Sequence, residues 1–274
     1  MENTIIHSFY LNDYQCSIDL HNDFYGINFW QKFSNKKYEP DTFSFIQQNV
    51  DEKTIFLDIG CANGPFTLLA LTKGCKVFAY EPNPDMYAVA LRNISLNPKI
   101  NRFCEINNWA ISAKSGSIKF NETADTEILS PIVFSEPQIS KADMRVEVKS
   151  LIGEITRVHE KDYKLVIKMD IEGAEWLILN DEVTLKLLKA YSSLLLLAVH
   201  PGFSRPFRKR LRGYNFFAHL FFTLKNYKTS TRVFEKINNY GKVYRTNFSE
   251  VDNKARFGFL VIGGYHEFII DFNS

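Results

Sequence analysis

An acid-bearing glycine turn and a second acid further along form the most informative part of the chain. Residues 56–67 read FLDIGCANGPFT, with Gly60 and Gly64 in the turn. The apolar run 54–57 precedes the turn and predicts a buried parallel strand. A second apolar run ends in Glu81, about 20 residues beyond the first glycine. That spacing is typical of open α/β folds in which an acid binds the hydroxyls of a ribose.

The residues of the turn indicate which ligand it would accept. Dinucleotide-binding loops read G-x-G-x-x-G, and their glycines let a pyrophosphate approach the start of a helix. Here Ala62 stands between the glycines, and Asp58 precedes the turn as an acid that would repel phosphate. S-adenosyl-L-methionine (SAM) fits, because it carries an amino group, a sulfonium and a ribose but no phosphate. The alternative is an ordinary connection in which Asn63 caps the helix, and the spacing of Glu81 favours SAM.

Five motifs along the chain resemble one family of enzymes. They are LDIGCANG at 57–64, YEPNP at 80–84, RNISLN at 92–97, NWAIS at 108–112 and IKMDIEGAE at 167–175. In order and spacing they resemble the FkbM family of SAM-dependent methyltransferases, and the last motif is the most specific. The chain departs from the family at Cys61, where alanine is usual. It departs again at Ala198, where an acid often stands two residues before His200.

The resemblance implies a cofactor site at the carboxyl ends of the strands. Asp58 would face the ammonium group of SAM, directly or through water, and Glu81 would accept hydrogen bonds from both ribose hydroxyls. Asn83 would border the adenine on one side, and residues 108–110 would border it on the other. The turn residues would follow the contour of the methionine part. The expected cofactor-binding residues are Asp58, Gly60, Ala62, Asn63, Gly64, Glu81, Asn83, Asn108, Trp109 and Ala110.

Two residues could act as the base that a hydroxyl acceptor needs. Asp170 follows a predicted strand, where many methyltransferases place a polar residue against the acceptor; its alternative role is to cap a helix that starts at Ile171. His200 ends another predicted strand, and the ordinary pKa of histidine suits a base near neutral pH. Asp170, Glu172 and His200 could instead hold a divalent metal. Acid clusters beside a lysine are more often ion-pair networks, so we predict no metal site.

Lys168 is unusual because it lies in a predicted central strand. An unpaired ammonium in such a place costs several kcal/mol even after relaxation. We therefore predict that Lys168 pairs with Asp58, Glu172 or Glu175. The two glutamates lie in the first turn of a predicted helix, where acids are stabilised, so structural roles are expected for both.

Strands and helices alternate along the chain, which predicts a doubly wound, mostly parallel sheet. The predicted strands are 54–58, 76–80, 102–106, 165–169 and 194–199. The predicted helices are 66–72, 84–96, 151–158, 176–189 and 205–224. Segments 242–245 and 257–262 are predicted to close the sheet as an antiparallel pair, and 112–148 to form a hairpin-like insertion. The predicted fold class is α/β with a C-terminal antiparallel strand, and the resemblance to the FkbM family implies the Rossmann-like class I methyltransferase type.

The first 53 residues are rich in aromatic side chains and precede the first core strand. Pro40 marks a plausible helix start before 43–50. We interpret residues 1–53 as a flap that packs on the core and could cover the cofactor. The remaining residues, 54–274, form the predicted methyltransferase domain.

Composition narrows the class of protein further. The formal net charge is +2, so no global field attracts nucleic acid or a membrane surface. The N-terminus is not apolar, and the longest apolar run, 194–199, is too short to span a bilayer, which predicts no stable membrane insertion. The scattered cysteines lack a C-x-x-C pair and favour a reducing, cytoplasmic location. A basic run at 205–212 could receive an anionic group of the acceptor, although such runs are usually solvated helix faces.

The resemblance implies O-methylation of a hydroxyl on a sugar, a polysaccharide unit or a natural product. One alternative is an RNA methyltransferase, because residues 64–66 and 93–97 are also similar to certain tRNA enzymes. The net charge of +2 disfavours it. A second alternative is a catalytically silent SAM-binding partner protein. A third, an NAD-binding oxidoreductase, is disfavoured by Asp58 and Ala62. The acceptor and the oligomeric state stay open.

Overall fold

A computed structural model describes residues 5–21, 23–119, 145–171, 175–191, 193–199, 216–262 and 267–274. The chain divides into two compact units. The first comprises residues 1–111 with 153–168, and the second comprises 112–152 with 169–274. The predicted α/β class with a mostly parallel central sheet is confirmed.

The elements follow one another in an alternating order. The part of the chain up to Ser112 contains β1 (Ile6–Leu11), β2 (Tyr14–Asp19), α1 (Gly26–Ser34), α2 (Pro40–Asn49), β3 (Thr54–Ile59), α3 (Pro65–Leu71), β4 (Lys76–Tyr80), α4 (Pro84–Ser95), β5 (Cys104–Asn107) and β6 (Ala110–Ser112). The part after it contains β7 (Gly116–Lys119), β8 (Arg145–Ser150), α5 (Leu151–Val158), β9 (Lys164–Met169), α6 (Glu175–Asn180), α7 (Glu182–Ala190), β10 (Leu194–Ala198), α8 (Phe216–Ile237), β11 (Lys242–Arg245), α9 (Lys254–Ile262) and β12 (Glu267–Asp271).

The strands of the first unit run in the order β9-β3-β4-β5. β3 and β4 are parallel with Asp58 opposite Ala79, and β4 and β5 are parallel with Ala79 opposite Ile106. Every residue of β3 is buried, which explains its nearly continuous apolar sequence. Because parallel strands end at the same edge of a sheet, the turn after β3 and the acid after β4 come together.

The N-terminal residues contain more regular structure than the sequence predicted. β1 and β2 form an antiparallel hairpin with Phe9 opposite Cys16, and helix α1 follows it. Helix α2 begins at Pro40, as predicted. The rings of Phe33 and Phe66 meet edge to face at 5.3 Å, so α1 packs against α3. The predicted division between a flap and a catalytic domain stays a prediction.

The C-terminal strands of the second unit correct one prediction. β12 pairs antiparallel with both β10 and β11, so the partner of residues 242–245 is Glu267–Asp271. Residues 257–262 belong to helix α9 instead. Their apolar run is compatible with a strand or a helix, and in the structure they lie in the helix Lys254–Ile262 with Phe257 and Val261 buried. The ring of Phe257 packs 4.6 Å from that of Phe268.

Two predicted helices also differ in their bounds. The segment 176–189 forms two helices, because Asp181 accepts a hydrogen bond from the backbone N–H of Thr184 and starts α7. Of the predicted helix 205–224, the described part lies within α8, and 205–215 lie outside the described residues. The predicted insertion begins as expected, since β7 pairs antiparallel with β8, whereas 120–144 lie outside the described residues. Among the helices of the described residues, none combines the length and apolar character needed to cross a membrane.

A buried ion pair joins the central strands β3 and β9 of the first unit. The Nζ of Lys168 lies 3.3 Å from Oδ1 of Asp58, and the two side chains are 5% and 0% exposed. The hydroxyl of Thr67 donates to the other carboxylate oxygen at 2.7 Å. The predicted pairing of Lys168 is therefore confirmed with Asp58. Glu175 is buried at the start of α6, and Glu172 lies outside the described residues.

We predict that Lys168→Met lowers the free energy of unfolding by about 3–5 kcal/mol, because it leaves the buried carboxylate of Asp58 without its cation. The double variant Asp58→Asn with Lys168→Met should recover part of that loss. Urea denaturation followed by tryptophan fluorescence measures both. Lys186→Met, which removes an exposed lysine of α7, is the control and should change stability by less than about 1 kcal/mol. Equal stability of Lys168→Met and the unmodified chain would contradict a structural role for the pair.

Candidate functional site

The turn between β3 and α3 has the backbone that its sequence predicts. Gly60 and Gly64 have φ angles of +82° and +88°, where glycine carries no steric penalty. Ala62 adopts φ +50° without that advantage. The N–H groups of Gly60 and Cys61 both donate to the carbonyl of Tyr80, at 2.9 and 3.1 Å. The end of β4 therefore holds the first half of the turn in place.

Glu81 links the two segments of the site. One carboxylate oxygen accepts from the backbone N–H of Ala62 at 2.9 Å, and the other accepts from the N–H of Asn83 at 2.8 Å. The residue is only 6% exposed. Each carboxylate oxygen has two lone pairs, so each retains the capacity to accept a second hydrogen bond. A pair of adjacent hydroxyls, as in a ribose, matches that capacity.

Burial also changes the acidity of Glu81. Loss of solvation raises the pKa of this carboxyl from its ordinary value to about 7. The two backbone N–H donors and the charge of Lys168 oppose that rise, whereas the charge of Asp58 adds to it. The carboxyl group of Glu81 therefore gains or loses its charge near neutral pH in the free protein.

Asn83 and Asn108 support the site through backbone contacts. The side-chain oxygen of Asn83 caps α4 by accepting from the N–H groups of Asp85 and Met86. The amide nitrogen of Asn108 donates to the carbonyls of Glu81 and Pro82, at 2.8 and 3.2 Å. Both predicted residues therefore lie beside Glu81 and fix the chain that follows β4.

The remaining predicted residues at this edge, Trp109 and Ala110, follow β5. The ring of Trp109 is half-buried and lies 6.5 Å from the ring of Tyr80. Ala110 is buried at the start of β6. Since Asn108 bonds the backbone after β4, Trp109 and Ala110 continue a segment that is tied to the residues around Glu81.

Asp58 lies behind the turn rather than on an open surface. Its carboxylate is fully buried between Thr67 and Lys168. The ammonium of Lys168 also donates to the carbonyl of Gly60 at 3.1 Å. Asp58 therefore acts on the turn through Lys168, and the expected contact of Asp58 with the ammonium group of SAM, directly or through water, stays a prediction.

Asn63 is fully buried and has partners on two sides. Its amide nitrogen donates to Asp23 at 2.9 Å, and its backbone carbonyl accepts from the amide of Asn93 at 3.0 Å. Its side-chain oxygen has no hydrogen-bond partner among the residues the structure describes. The sequence analysis did not identify Asp23 as a partner of Asn63, because no motif near Asp23 indicates a contact with a residue 40 positions away.

The two proposed bases have different outcomes. Asp170 directly follows β9 and is half-buried. Ile171 is not helical and residues 172–174 lie outside the described residues, so the alternative that Asp170 caps a helix stays a prediction. His200 and the basic run 205–212 lie outside the described residues. Within the described ranges, no three His, Cys, Asp or Glu side chains are placed to hold a metal ion.

The arrangement at this edge fits SAM. The carboxylate oxygens of Glu81 keep lone pairs that adjacent hydroxyls can reach as donors, and the side-chain oxygen of Asn63 has no hydrogen-bond partner among the described residues. The Gly60–Gly64 turn has the left-handed residues that let backbone approach a ligand closely.

Two relatives are similar to this chain over limited stretches. It is 26% identical to the hexuronic acid methyltransferase AglP of Haloferax volcanii, over 52% of the chain and 55% of that protein. It is 29% identical to a tRNA (guanine(37)-N(1))-methyltransferase of Anopheles gambiae, over 31% of the chain and 15% of that protein. The chain thus spans about half the length of the first relative and much less of the second.

One solved structure and one family pattern also match this chain. An O-methyltransferase from Bacillus cereus in complex with SAH aligns with 89% of this chain and 85% of its own, at 13% identity and a TM-score of 0.42. The sequence pattern of the methyltransferase FkbM domain matches residues 58–204, more than half of the chain. The chain therefore belongs to the FkbM family of SAM-dependent methyltransferases.

Proposed function

We propose that this chain transfers a methyl group from SAM to a hydroxyl of a sugar, a polysaccharide unit or a natural product. The observation that carries the proposal is the carboxylate of Glu81, held by two backbone N–H groups at the end of β4 beside the glycine turn. Membership of the FkbM family supports the same cofactor.

Different residues at this site would contact different parts of SAM. Glu81 would accept hydrogen bonds from the ribose hydroxyls, and Asn63 would accept one from the ammonium group. Asn83 and the segment 108–110 would border the adenine. Bound SAM supplies a methyl group already activated by a positively charged sulfur, so the protein mainly has to align donor and acceptor. Alignment of that kind contributes on the order of 7–11 kcal/mol to lowering a barrier.

An oxygen acceptor must also lose a proton. Asp170 would take the proton of the acceptor hydroxyl, since it directly follows β9 at the carboxyl end of a central strand, where ligands of open α/β sheets bind. His200 stays a candidate for the same role on sequence grounds alone. A carbohydrate acceptor is supported by the similarity to a hexuronic acid methyltransferase over about half of the chain.

A tRNA acceptor is the second candidate. The similarity to a tRNA (guanine(37)-N(1))-methyltransferase favours it, but that match covers 31% of the chain. The near-neutral formal net charge of +2 disfavours an RNA acceptor. The sugar therefore fits better than the RNA.

Calorimetric titration with S-adenosylhomocysteine (SAH), with NAD as control, tests the cofactor. Radiolabelled SAM then tests the acceptor, with methyl glucuronide, uronic-acid oligosaccharides and unmodified tRNA offered in parallel. Treatment of a labelled sugar with mild base separates a stable methyl ether from a methyl ester, which hydrolyses. A base-labile product, or transfer to tRNA alone, would contradict the proposed hydroxyl of a sugar.

The first prediction concerns the ribose contact. We expect Glu81→Gln to weaken SAH binding by about 10- to 100-fold, because hydrogen bonds to a charged group are worth about 1.5–3 kcal/mol. Titration calorimetry gives the affinities, and Glu52→Gln, at an exposed glutamate before β3, is the control. An unchanged affinity would remove Glu81 from the cofactor site.

The second prediction concerns pH. The charged form of Glu81 accepts both ribose hydroxyls, and its pKa is raised to about 7. SAH affinity should therefore be full above pH 7 and fall as the pH drops below it, by about tenfold for each pH unit. The affinity of Glu81→Gln should not follow this dependence. Affinity that stays constant between pH 8 and pH 5.5 in the unmodified protein would contradict the assignment.

The third prediction separates proton transfer from cofactor binding. Asp170→Asn removes a base while keeping the size of the side chain, so turnover should fall by about 100-fold or more. SAH affinity should change by less than about threefold, since the ribose contact is untouched. Near-normal turnover on the acceptor identified above would exclude Asp170 as the base.

A further inference from the structure

We infer that Asp23, in the N-terminal residues before α1, is a positioning residue that fixes the cofactor turn through the side chain of Asn63. The expected effect on SAM binding rests on the proposed function. The contact between Asp23 and Asn63 is a feature of the first unit and does not depend on that function.

The carboxylate of Asp23 joins the N-terminal helix to the turn. One oxygen accepts from the indole N–H of Trp30 at 2.7 Å, and the other accepts from the amide nitrogen of Asn63 at 2.9 Å. Trp30 is fully buried in α1, with its ring 5.3 Å from that of Phe29 and 6.0 Å from that of Phe33. The indole is therefore a rigid anchor, and the carboxylate transmits its position to Asn63.

This contact also determines which way the Asn63 amide points. An ionised carboxylate only accepts hydrogen bonds, so the NH₂ group must face Asp23. The carbonyl oxygen then faces the other way, where it is buried without a hydrogen-bond partner among the described residues. A buried acceptor of this kind is costly unless a donor reaches it. The ammonium of SAM is such a donor, so Asp23 aims an acceptor at the ligand without touching it.

Helix α4 holds the same asparagine from a second side. The amide of Asn93 donates to the backbone carbonyl of Asn63 at 3.0 Å and accepts from the N–H of Asp19, in β2, at 3.0 Å. One turn later, the amide of Asn97 accepts from the N–H of Ser17 and donates to its carbonyl. These contacts give the RNISLN motif a role, because its two asparagines attach the N-terminal hairpin to the helix that supports the turn.

The position of Asn63 controls its neighbour in the chain. Ala62, directly before it, donates the backbone N–H that holds one oxygen of Glu81. If Asn63 moves, this N–H leaves the carboxylate. The result is a Glu81 that is less well placed for the ribose and whose pKa is higher, because a donor that favours its charged form is lost. The charges of Lys168 and Asp58, which also face Glu81, stay in place.

Hydrogen exchange in the free protein tests the positioning without any ligand. We expect Asp23→Ala to speed exchange of the backbone amides at 60–64 by at least tenfold, while amides of β9 and α5 keep their protection. Asp13→Ala, at an exposed aspartate between β1 and β2, is the matched control and should leave the turn unchanged. Unchanged exchange at 60–64 in Asp23→Ala would overturn the inference.

SAH titration tests the consequence. Asp23→Ala should weaken binding by about tenfold and move the pH midpoint of binding above that of the unmodified protein. A general loss of stability would lower affinity without moving that midpoint. Trp30→Phe keeps an aromatic side chain, although a smaller one, and removes the indole N–H donor, so it should produce the same effects to a smaller degree. A midpoint identical to that of the unmodified protein in Asp23→Ala would count against positioning.

An exchange of partners gives a test by rescue. Asn63→Asp alone places two carboxylates against each other and should bind SAH far more weakly. Adding Asp23→Asn restores one donor and one acceptor, with the new amide still able to accept from Trp30, and should recover at least fivefold of the affinity. Absence of recovery, with both variants folded by circular dichroism, would overturn the pairing.

The outcomes separate this inference from the proposed function. If the unmodified protein binds no SAH while Asp23→Ala still loosens 60–64, the positioning holds and the proposed cofactor site fails. If SAH binds and Asp23→Ala changes neither exchange nor affinity, the cofactor site holds and the positioning fails.

Discussion

The turn after β3 depends on partners for its own backbone. Its N–H groups donate to the carbonyl of Tyr80 and to the carboxylate of Glu81, and the carbonyl of Gly60 accepts from Lys168. Buried backbone groups must be paired, so this turn can only exist where β4 and β9 flank β3. The order β9-β3-β4 is thus a condition for the site as well as a feature of the fold.

The same partners set the electrostatics of the site. Lys168 would be costly in the interior without Asp58, and Asp58 without Lys168. Together they form a paired charge beneath the turn, with Thr67 bonded to the carboxylate. Glu81 has a weaker compensation, because backbone donors rather than a cation reach its oxygens. Its pKa is accordingly raised to about 7. Asp58 is thereby paired with a cation, whereas the oxygens of Glu81 have only backbone donors and keep lone pairs for further hydrogen bonds.

Much of the first unit could be predicted because its signals are local. The buried runs of β3 and β4, the glycines of the turn and the spacing to Glu81 follow from strand periodicity and backbone sterics. Two features that depend on contacts between distant residues were predicted wrongly or not at all. Residues 257–262 form a helix rather than a strand, because an apolar run fits both and only packing on Phe268 selects one. The β1–β2 hairpin was missed, although its residues alternate between buried and exposed.

The sequence by itself determined the α/β class, the turn, the acid at the end of β4 and the family, since each depends on residue types at characteristic spacings. The tertiary structure decided what those residues contact. In it, Asp58 is buried against Lys168. Asn63 donates a hydrogen bond to Asp23, which lies 40 residues away in the chain. The physical reason is that hydrogen bonds and ion pairs depend on distances in space. Sequence spacing does not fix those distances until the strands and helices have packed.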